Sequence, residues 1–364
     1  MSASRRQAGI RRHWRAGGQH APVDLERRLS ARFGRQPLLD GATPLQFAPR
    51  FSAAVGAEVY VKRDDHGSLT VAGAKARKLE RIIPQARERG ARTLVTAGPA
   101  QSNTARAIAS SCAVSGLGAE LLLRASESEP LQGNALISML SGATVRRCGE
   151  IGWSQMEALA QERARGDPGA FLVPMGGTSA AGVAGMLAGY LELQEQLQVQ
   201  RVGATAIYHA SATGGIWAGL ALGASLTAGP RPHPVAVIRD VYPDMPARYA
   251  QVFNEAADSL SLDARIHGAA VRLDFSQLGI DYGEPTEAAF EAIGLLMRTE
   301  GILCDYVYTG KALAALVADA RAGRLAGPVV FWHSGGLPGM MTSNAMDRLG
   351  AAPGARAQPS ACLR

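Results

Sequence analysis

The sequence predicts an α/β protein in which parallel sheets are covered by helices. Strand, loop and helix patterns alternate at intervals of roughly 25–30 residues, about the length of a strand–helix–strand unit. The strands read as short runs of consecutive apolar residues, as in a sheet buried on both faces. A composition of 47% hydrophobic and 19% charged residues suits such layers and excludes a disordered chain. With 364 residues the chain has room for two cores, because single cores stop growing near ~250–300 residues.

Taken in order, Thr43-Pro44-Leu45 is a turn and residues 57–61 a strand. Residues 73–89 follow a loop and read as a helix closed by Gly90. Residues 93–96 are a short buried strand, 98–103 a polar loop and 104–115 an apolar helix. Leu121-Leu122-Leu123 is the next strand and 131–140 the next helix. Further on, Phe171-Leu172-Val173-Pro174 leads into Met175-Gly176-Gly177-Thr178, and the apolar strand 204–210 leads into Thr213-Gly214-Gly215. Residues 234–238 are a strand, 285–300 a helix, and 328–332 a last strand before Ser334-Gly335-Gly336. Beyond Leu349 the Ala/Pro/Gly-rich chain reads as a frayed tail.

The formal charge of +7 would suggest a polyanionic partner if it were spread over the chain. It is not. Residues 1–36 carry Arg5, Arg6, Arg11, Arg12, Arg15, Arg27, Arg28, Arg32 and Arg35 against only Asp24 and Glu26. That segment accounts for the whole excess, and the remaining chain is balanced. It reads as a solvated leader; as a nucleic-acid arm it would show binding that weakens steeply with salt. Arg5-Arg6 and Arg11-Arg12 are followed by no apolar signal core. The uncharged stretch from 204 up to Arg231 is long enough to cross a bilayer, but its Gly, Ser, Thr and His209 fit a glycine-rich loop between strand and helix. Cys112, Cys148, Cys304 and Cys362 have neither metal-ligand nor disulfide-framework spacing. A cytoplasmic protein without metal, membrane or nucleic-acid partner is expected.

Only four of the 38 basic residues are lysines: Lys62, Lys75, Lys78 and Lys311. Where the chain uses arginine for charge, a retained lysine points to chemistry that a guanidinium cannot do. Forming an imine is the leading case, since it needs a primary amine able to lose its proton. The alternative is that Lys75 and Lys78 are surface charges at a helix start. Two loops favour the chemical reading. Gln101-Ser102-Asn103 precedes an apolar helix whose N-terminal N–H groups could face an anion. Thr213-Gly214-Gly215 lies between a strand and a helix and offers exposed N–H groups suited to a phosphate. No Walker lysine spacing, dinucleotide fingerprint or metal motif is present.

Together these segments carry a resemblance. Tyr60-Val61-Lys62-Arg63-Asp64-Asp65, Gly73-Ala74-Lys75-Ala76-Arg77-Lys78-Leu79-Glu80, Gln101-Ser102-Asn103 and Thr213-Gly214-Gly215 are joined by Asp281-Tyr282-Gly283, Thr299-Glu300-Gly301-Ile302-Leu303, Val307-Tyr308-Thr309-Gly310-Lys311 and His333-Ser334-Gly335-Gly336-Leu337-Pro338. In this order they resemble the D-cysteine desulfhydrase / 1-aminocyclopropane-1-carboxylate deaminase family over about residues 40–345. The resemblance implies fold type II of the pyridoxal 5'-phosphate (PLP) enzymes, the tryptophan-synthase-β-like fold, with two three-layer α/β domains. It implies a small domain, 78–172, inserted into a large one formed by 37–77 and 173–350; composition adds the basic leader at 1–36 and a flexible tail at 351–364. A homodimer is implied as well.

By the same resemblance PLP is held covalently on Lys75, and Lys78 is left a structural role. Ser102 and Asn103, with Gln101 beside them, would meet the substrate carboxylate and the cofactor's phenolic oxygen. Thr213, Gly214 and Gly215 would cradle the phosphate, and Tyr282 and Tyr308 would flank the substrate. Thr309 would face the pyridine nitrogen, where the deaminase has a carboxylate and the desulfhydrase a threonine. A neutral hydroxyl there leaves the ring nitrogen largely unprotonated, so a carbanion at Cα must be discharged quickly. Loss of a β-substituent does this. The expected reaction is removal of the Cα proton of a small amino acid by Lys75, departure of the β-group, and release of a 2-oxo acid and ammonia.

Several positions depart from the family pattern. Ala72-Gly73-Ala74 stands where Gly-Gly-Asn is usual, Thr104 where His or Gln follows, Ile216-Trp217 after the phosphate loop, and Asp305-Tyr306-Val307-Tyr308 for Asp-Pro-Val-Tyr. Either these residues only pack, or they remodel the pocket for another substrate. Two other readings keep the cofactor: a β- or γ-replacement transferase, and a PLP-binding protein without turnover.

Overall fold

The computed structural model describes residues 22–345 except 68, 70–72, 129 and 344. In chain order the first half comprises α1 (Pro22–Phe33), β1 (Leu45–Phe47), α2 (Pro49–Val55), β2 (Val59–Arg63), α3 (Ala74–Glu88), β3 (Thr93–Pro99), α4 (Asn103–Ser115), β4 (Gly118–Arg124), α5 (Gly133–Leu140), β5 (Thr144–Arg147), α6 (Trp153–Arg165) and β6 (Ala170–Leu172). The second half comprises α7 (Ala180–Gln200), β7 (Ala206–Ser211), α8 (Gly215–Thr227), β8 (Arg231–Ala236), α9 (Met245–Ser259), α10 (Glu287–Glu300), α11 (Thr309–Arg321) and β9 (Val329–His333).

The strands form two sheets. One runs β1-β2-β9-β7-β8, parallel except for β1, which pairs antiparallel with β2. The other runs β5-β4-β3-β6 and is wholly parallel. The expected alternation is therefore present, and its physical basis is burial on both faces: in β9 all five residues are buried. The stretch from 204 to Arg231 folds as β7, a short glycine turn and α8, as its composition suggested. No described helix is long and apolar enough to cross a membrane.

Helix α3 links the two sheets and contains the 77/78 position at which the sequence placed a domain boundary. It packs closely on α7. A methyl group on Gly185 of α7 would lie 2.1 Å from the Arg77 carbonyl oxygen, so only glycine permits this approach.

Residues 1–21 of the expected basic leader, and the tail 351–364, lie outside the described residues. The rest of the leader contains a helix. α1 is amphipathic and buries Leu25, Leu29 and Phe33 against α3 and α7. Arg81 of α3, itself buried, fixes it by donating to Gly34 O at 2.9 Å and Ser30 Oγ at 3.1 Å and pairing with Glu26.

Candidate active site

The strand ends of both sheets meet at one cavity. Ala97 and Pro99 reach it from β3, Ala210 and Ser211 from β7, and Ser334 and Gly335 from the loop after β9. Ligands of open α/β sheets bind beyond these carboxyl ends, where helices begin and their N–H groups point outward.

Lys75 lies in the first turn of α3 and lines the cavity. The chain enters that helix through Gly73 at φ 122°, and a methyl there would meet Ser334 O at 2.6 Å. The Ala74 N–H donates to the same oxygen at 3.2 Å, so the lysine's helix is pinned to the loop after β9. Burial lowers the Lys75 amine to about 8, helped by Arg106 and opposed by Asp305 and Asp64. A useful fraction is thus neutral, and nucleophilic, near physiological pH.

One end of the cavity is built for an anion. Helix α8 begins at Gly215 behind Gly214 (φ 85°) and has no side-chain cap, which leaves its first N–H groups for a ligand. Thr213 and Thr178 hydroxyls lie 2.7 Å apart beside it. A methyl on Gly215 would come within 2.7 Å of Lys78 Nζ and 2.8 Å of Thr178 Oγ1, so the space is a cradle that a side chain would fill. From beneath, Tyr249 ties its hydroxyl to Ser211 Oγ and Ala212 O, both at 2.9 Å.

The other wall comes from α4. Ser102 is its N-cap, with Oγ accepting the Ala105 N–H at 3.1 Å and its own O–H left to donate. Asn103 Oδ1 accepts from Asn134 Nδ2 at 3.1 Å, which leaves the Asn103 amide hydrogens for an oxygen in the cavity. An aromatic wall faces them. The Tyr282 and Tyr308 hydroxyls are hydrogen-bonded, and Trp153 meets the Tyr282 ring edge-on at 5.2 Å. Burial raises both phenols, Tyr282 to about 12, so both hold their protons.

The structure thus brings Lys75, Ser102, Asn103, Thr213, Gly214, Gly215, Tyr282 and Tyr308 to one cavity. It leaves Gln101 and Thr309 off the lining. The Gln101 amide donates to Gln132 O at 3.0 Å and accepts the Asn134 N–H at 3.0 Å, so it fastens α5 instead. Thr309 is fully buried, and its hydroxyl donates to Asp305 Oδ1 at 2.6 Å and accepts the Asp305 N–H at 3.0 Å. Facing a ring nitrogen would require it to give up that donor bond.

Lys78 does line the cavity, donating to Gly176 O at 2.9 Å, although the sequence left it a structural role. Trp153 and the Met175-Gly176 turn were missed as wall residues. The glycines after the Phe171–Val173 run were a visible signal for the turn; nothing local marks Trp153. Of the unusual residues, Trp217 turns into the core against Tyr249 and Phe253, Tyr306 packs on Phe290, and Ala74 is buried off the lining. Thr104 and Ile216 do reach the cavity.

The donor set fits PLP at both ends: a depressed lysine amine for an aldehyde, and an uncapped helix N-terminus with two threonines and a lysine for a phosphate. Comparison with known proteins agrees. Residues 37–335 match the family described as pyridoxal-phosphate dependent enzyme. The chain is 36% identical over 329 residues to a D-cysteine desulfhydrase of Serratia proteamaculans, covering 87% of this chain and 98% of that one. It is 35% identical over 319 residues to a D-cysteine desulfhydrase of Salmonella choleraesuis, covering 85% and 96%. The crystal structure of an ACC deaminase homologue superposes with a TM-score of 0.80 at 33% identity, covering 89% of this chain and 98% of that one. A fungal L-serine ammonia-lyase from Rhizomucor miehei, at 19% identity and a TM-score of 0.62, shares the fold over 86% of this chain and 98% of its own.

Proposed function

This chain belongs to the pyridoxal-phosphate dependent enzymes, and from that membership we propose how its own residues carry out lyase chemistry on a small amino acid. The reaction class is elimination of a β-substituent with release of a 2-oxo acid and ammonia, as in the D-cysteine desulfhydrases it resembles. The observation that carries this reading is the cavity that joins the depressed Lys75 amine to the uncapped start of α8.

When bound, PLP supplies an electron sink that lowers the cost of a negative charge at the substrate Cα. Lys75 holds the cofactor and afterwards serves as the base for the Cα proton. Thr213, Gly214, Gly215 and Lys78 hold the phosphate. Ser102 donates its free O–H, and Asn103 its amide hydrogens, to the substrate carboxylate at the N-terminus of α4, where the helix dipole favours an anion. The protonated Tyr282–Tyr308 pair is positioned to donate to the departing β-group. Trp153 closes the same wall against water.

The partition into a small unit around the all-parallel sheet and a large unit around the mixed one is part of this reading, as are action as a homodimer and a cytoplasmic location. The free thiols of Cys112, Cys148 and Cys304 support the last.

Incubation with D-cysteine tests the function. Sulfide, 2-oxo acid and ammonia are expected in equal amounts, and none from Lys75→Ala. Formation of a new amino acid when a thiol is added, in place of the 2-oxo acid, would overturn elimination in favour of replacement.

A further inference from the structure

Lys311 lies in the first turn of α11, shortly after its N-cap residue Tyr308, and is fully enclosed. Its Nζ donates to Leu278 O at 2.7 Å and reaches Asp281 O at 3.5 Å. These two carbonyls lie just before Tyr282 in an irregular loop that leads into α10. Gly279 (φ 74°) and Gly283 (φ 83°) bend it, and Ile280 at its tip is 95% exposed. The Tyr282 N–H is bound within the loop, to Asp281 Oδ1 at 2.6 Å. Among the described residues, the lysine is what ties the backbone of this loop, as distinct from the Tyr282 hydroxyl, to the first turn of α11.

Burying an ammonium is costly, and burial lowers the Lys311 amine to about 8 against the opposing pull of Glu284, Asp305 and Asp281, the charges that face it. A methionine would fill the space without that cost but would leave both carbonyls unsatisfied. An arginine would present a bulkier, rigid planar fork, whereas an ammonium turns three donors toward separate acceptors. This matters in a chain with only four lysines among 38 basic residues. Tyr308 and Lys311 share one end of α11, so the same helix supplies one phenol and holds the loop of the other.

We infer that Lys311 is a positioning residue, clamping the Leu278 and Asp281 carbonyls so that the Tyr282 hydroxyl stays on Tyr308 at the cavity wall. The inference rests on the reading of Tyr282 as part of the reaction machinery.

A double-mutant cycle on the holoenzyme tests it, with kcat and KM measured for Lys311→Gln, Tyr282→Phe and the pair. Loss of the clamp is expected to lower kcat/KM about 10²-fold, the cost of misplacing a group by about 1 Å, with most of the loss in kcat. Beside Tyr282→Phe the same substitution should cost less than about twofold, because the two residues act as one unit. Lys311→Arg keeps the charge and is read in the same cycle. Its smaller loss, about tenfold, should likewise vanish beside Tyr282→Phe. Losses that multiply for both lysine variants would overturn the clamp and leave Tyr282 in place. A Tyr282→Phe enzyme with unchanged kinetics would instead overturn the role of Tyr282, and the clamp with it.

Discussion

Trp332 donates its indole N–H to Asp64 Oδ2 at 2.8 Å, joining residues 268 positions apart at the ends of two neighbouring strands. Arg77 binds the same carboxylate through Nε at 3.0 Å and Nη2 at 2.8 Å, and also holds Glu192 at 2.8 Å. Lys62 completes the buried group through Glu192 and Thr43 O. Arg77 follows Lys75 by two residues, so this network fixes the first turn of the helix that bears the reactive amine.

Removing Asp64 should therefore be severe. Asp64→Ala leaves part of the buried Arg77 charge uncompensated and is expected to cost about 3–5 kcal/mol in urea unfolding. Trp332→Phe, which loses one bond to a charged acceptor, should cost about 1.5–3 kcal/mol. Burial pushes the Asp64 carboxyl up, but Arg77, Lys62 and Thr43 outweigh it and hold it below its usual range. Its contribution is thus complete above the unfolded carboxyl pKa of about 3.9, and fades as pH falls toward the lower folded value. Asp64→Asn should flatten that acid limb.

Capture of PLP by the cofactor-free protein should follow the neutral fraction of Lys75. Its rate is expected to rise with pH and reach half its maximum near 8, where burial and Arg106 place the amine. Borohydride trapping followed by peptide mass analysis reads both the rate and the site. A midpoint near the ordinary lysine value of about 10.4 would contradict the buried placement.

The cradle predicts a separate defect. Gly215→Ala puts a methyl 2.7 Å from Lys78 Nζ and 2.8 Å from Thr178 Oγ1, in the space assigned to the phosphate. Cofactor affinity should fall by at least about tenfold, or about 1.4 kcal/mol. The melting temperature of the cofactor-free protein should change little, since alanine favours the helix. Equilibrium dialysis and a thermal scan separate the two effects.

Trp217 should matter for stability and not for choice of substrate. Its indole packs against Tyr249 and Phe253 and is off the cavity lining. Trp217→Ala is expected to cost about 3–5 kcal/mol, while ratios of kcat/KM among D-amino acids stay within about twofold. A changed ratio would place the indole in the pocket.

Much of this site was legible because its residues lie where strands end and helices begin. Lys75, Ser102, Asn103 and Thr213 to Gly215 each occupy such a junction, and apolar runs with glycines mark junctions well. What was not legible depends on three dimensions. Thr144–Arg147 hides as a strand because it is a polar edge, with Val145 its one apolar residue. Helix α7 shows no apolar stripe because it is buried on most sides. Trp153 reaches the cavity only because α6 packs on β3, and Thr309 misses the lining because Asp305 takes its hydroxyl.

The bond from Ala74 N–H to Ser334 O has a consequence for how the protein is made. Strand β9, which seats that loop, pairs with β2 and β7 and comes after both in the chain. The helix that bears Lys75 gains this anchor only after β9 has been made. Seating of the reactive amine is thus a long-range event in folding, and the cofactor cavity is expected to form only once β9 has paired.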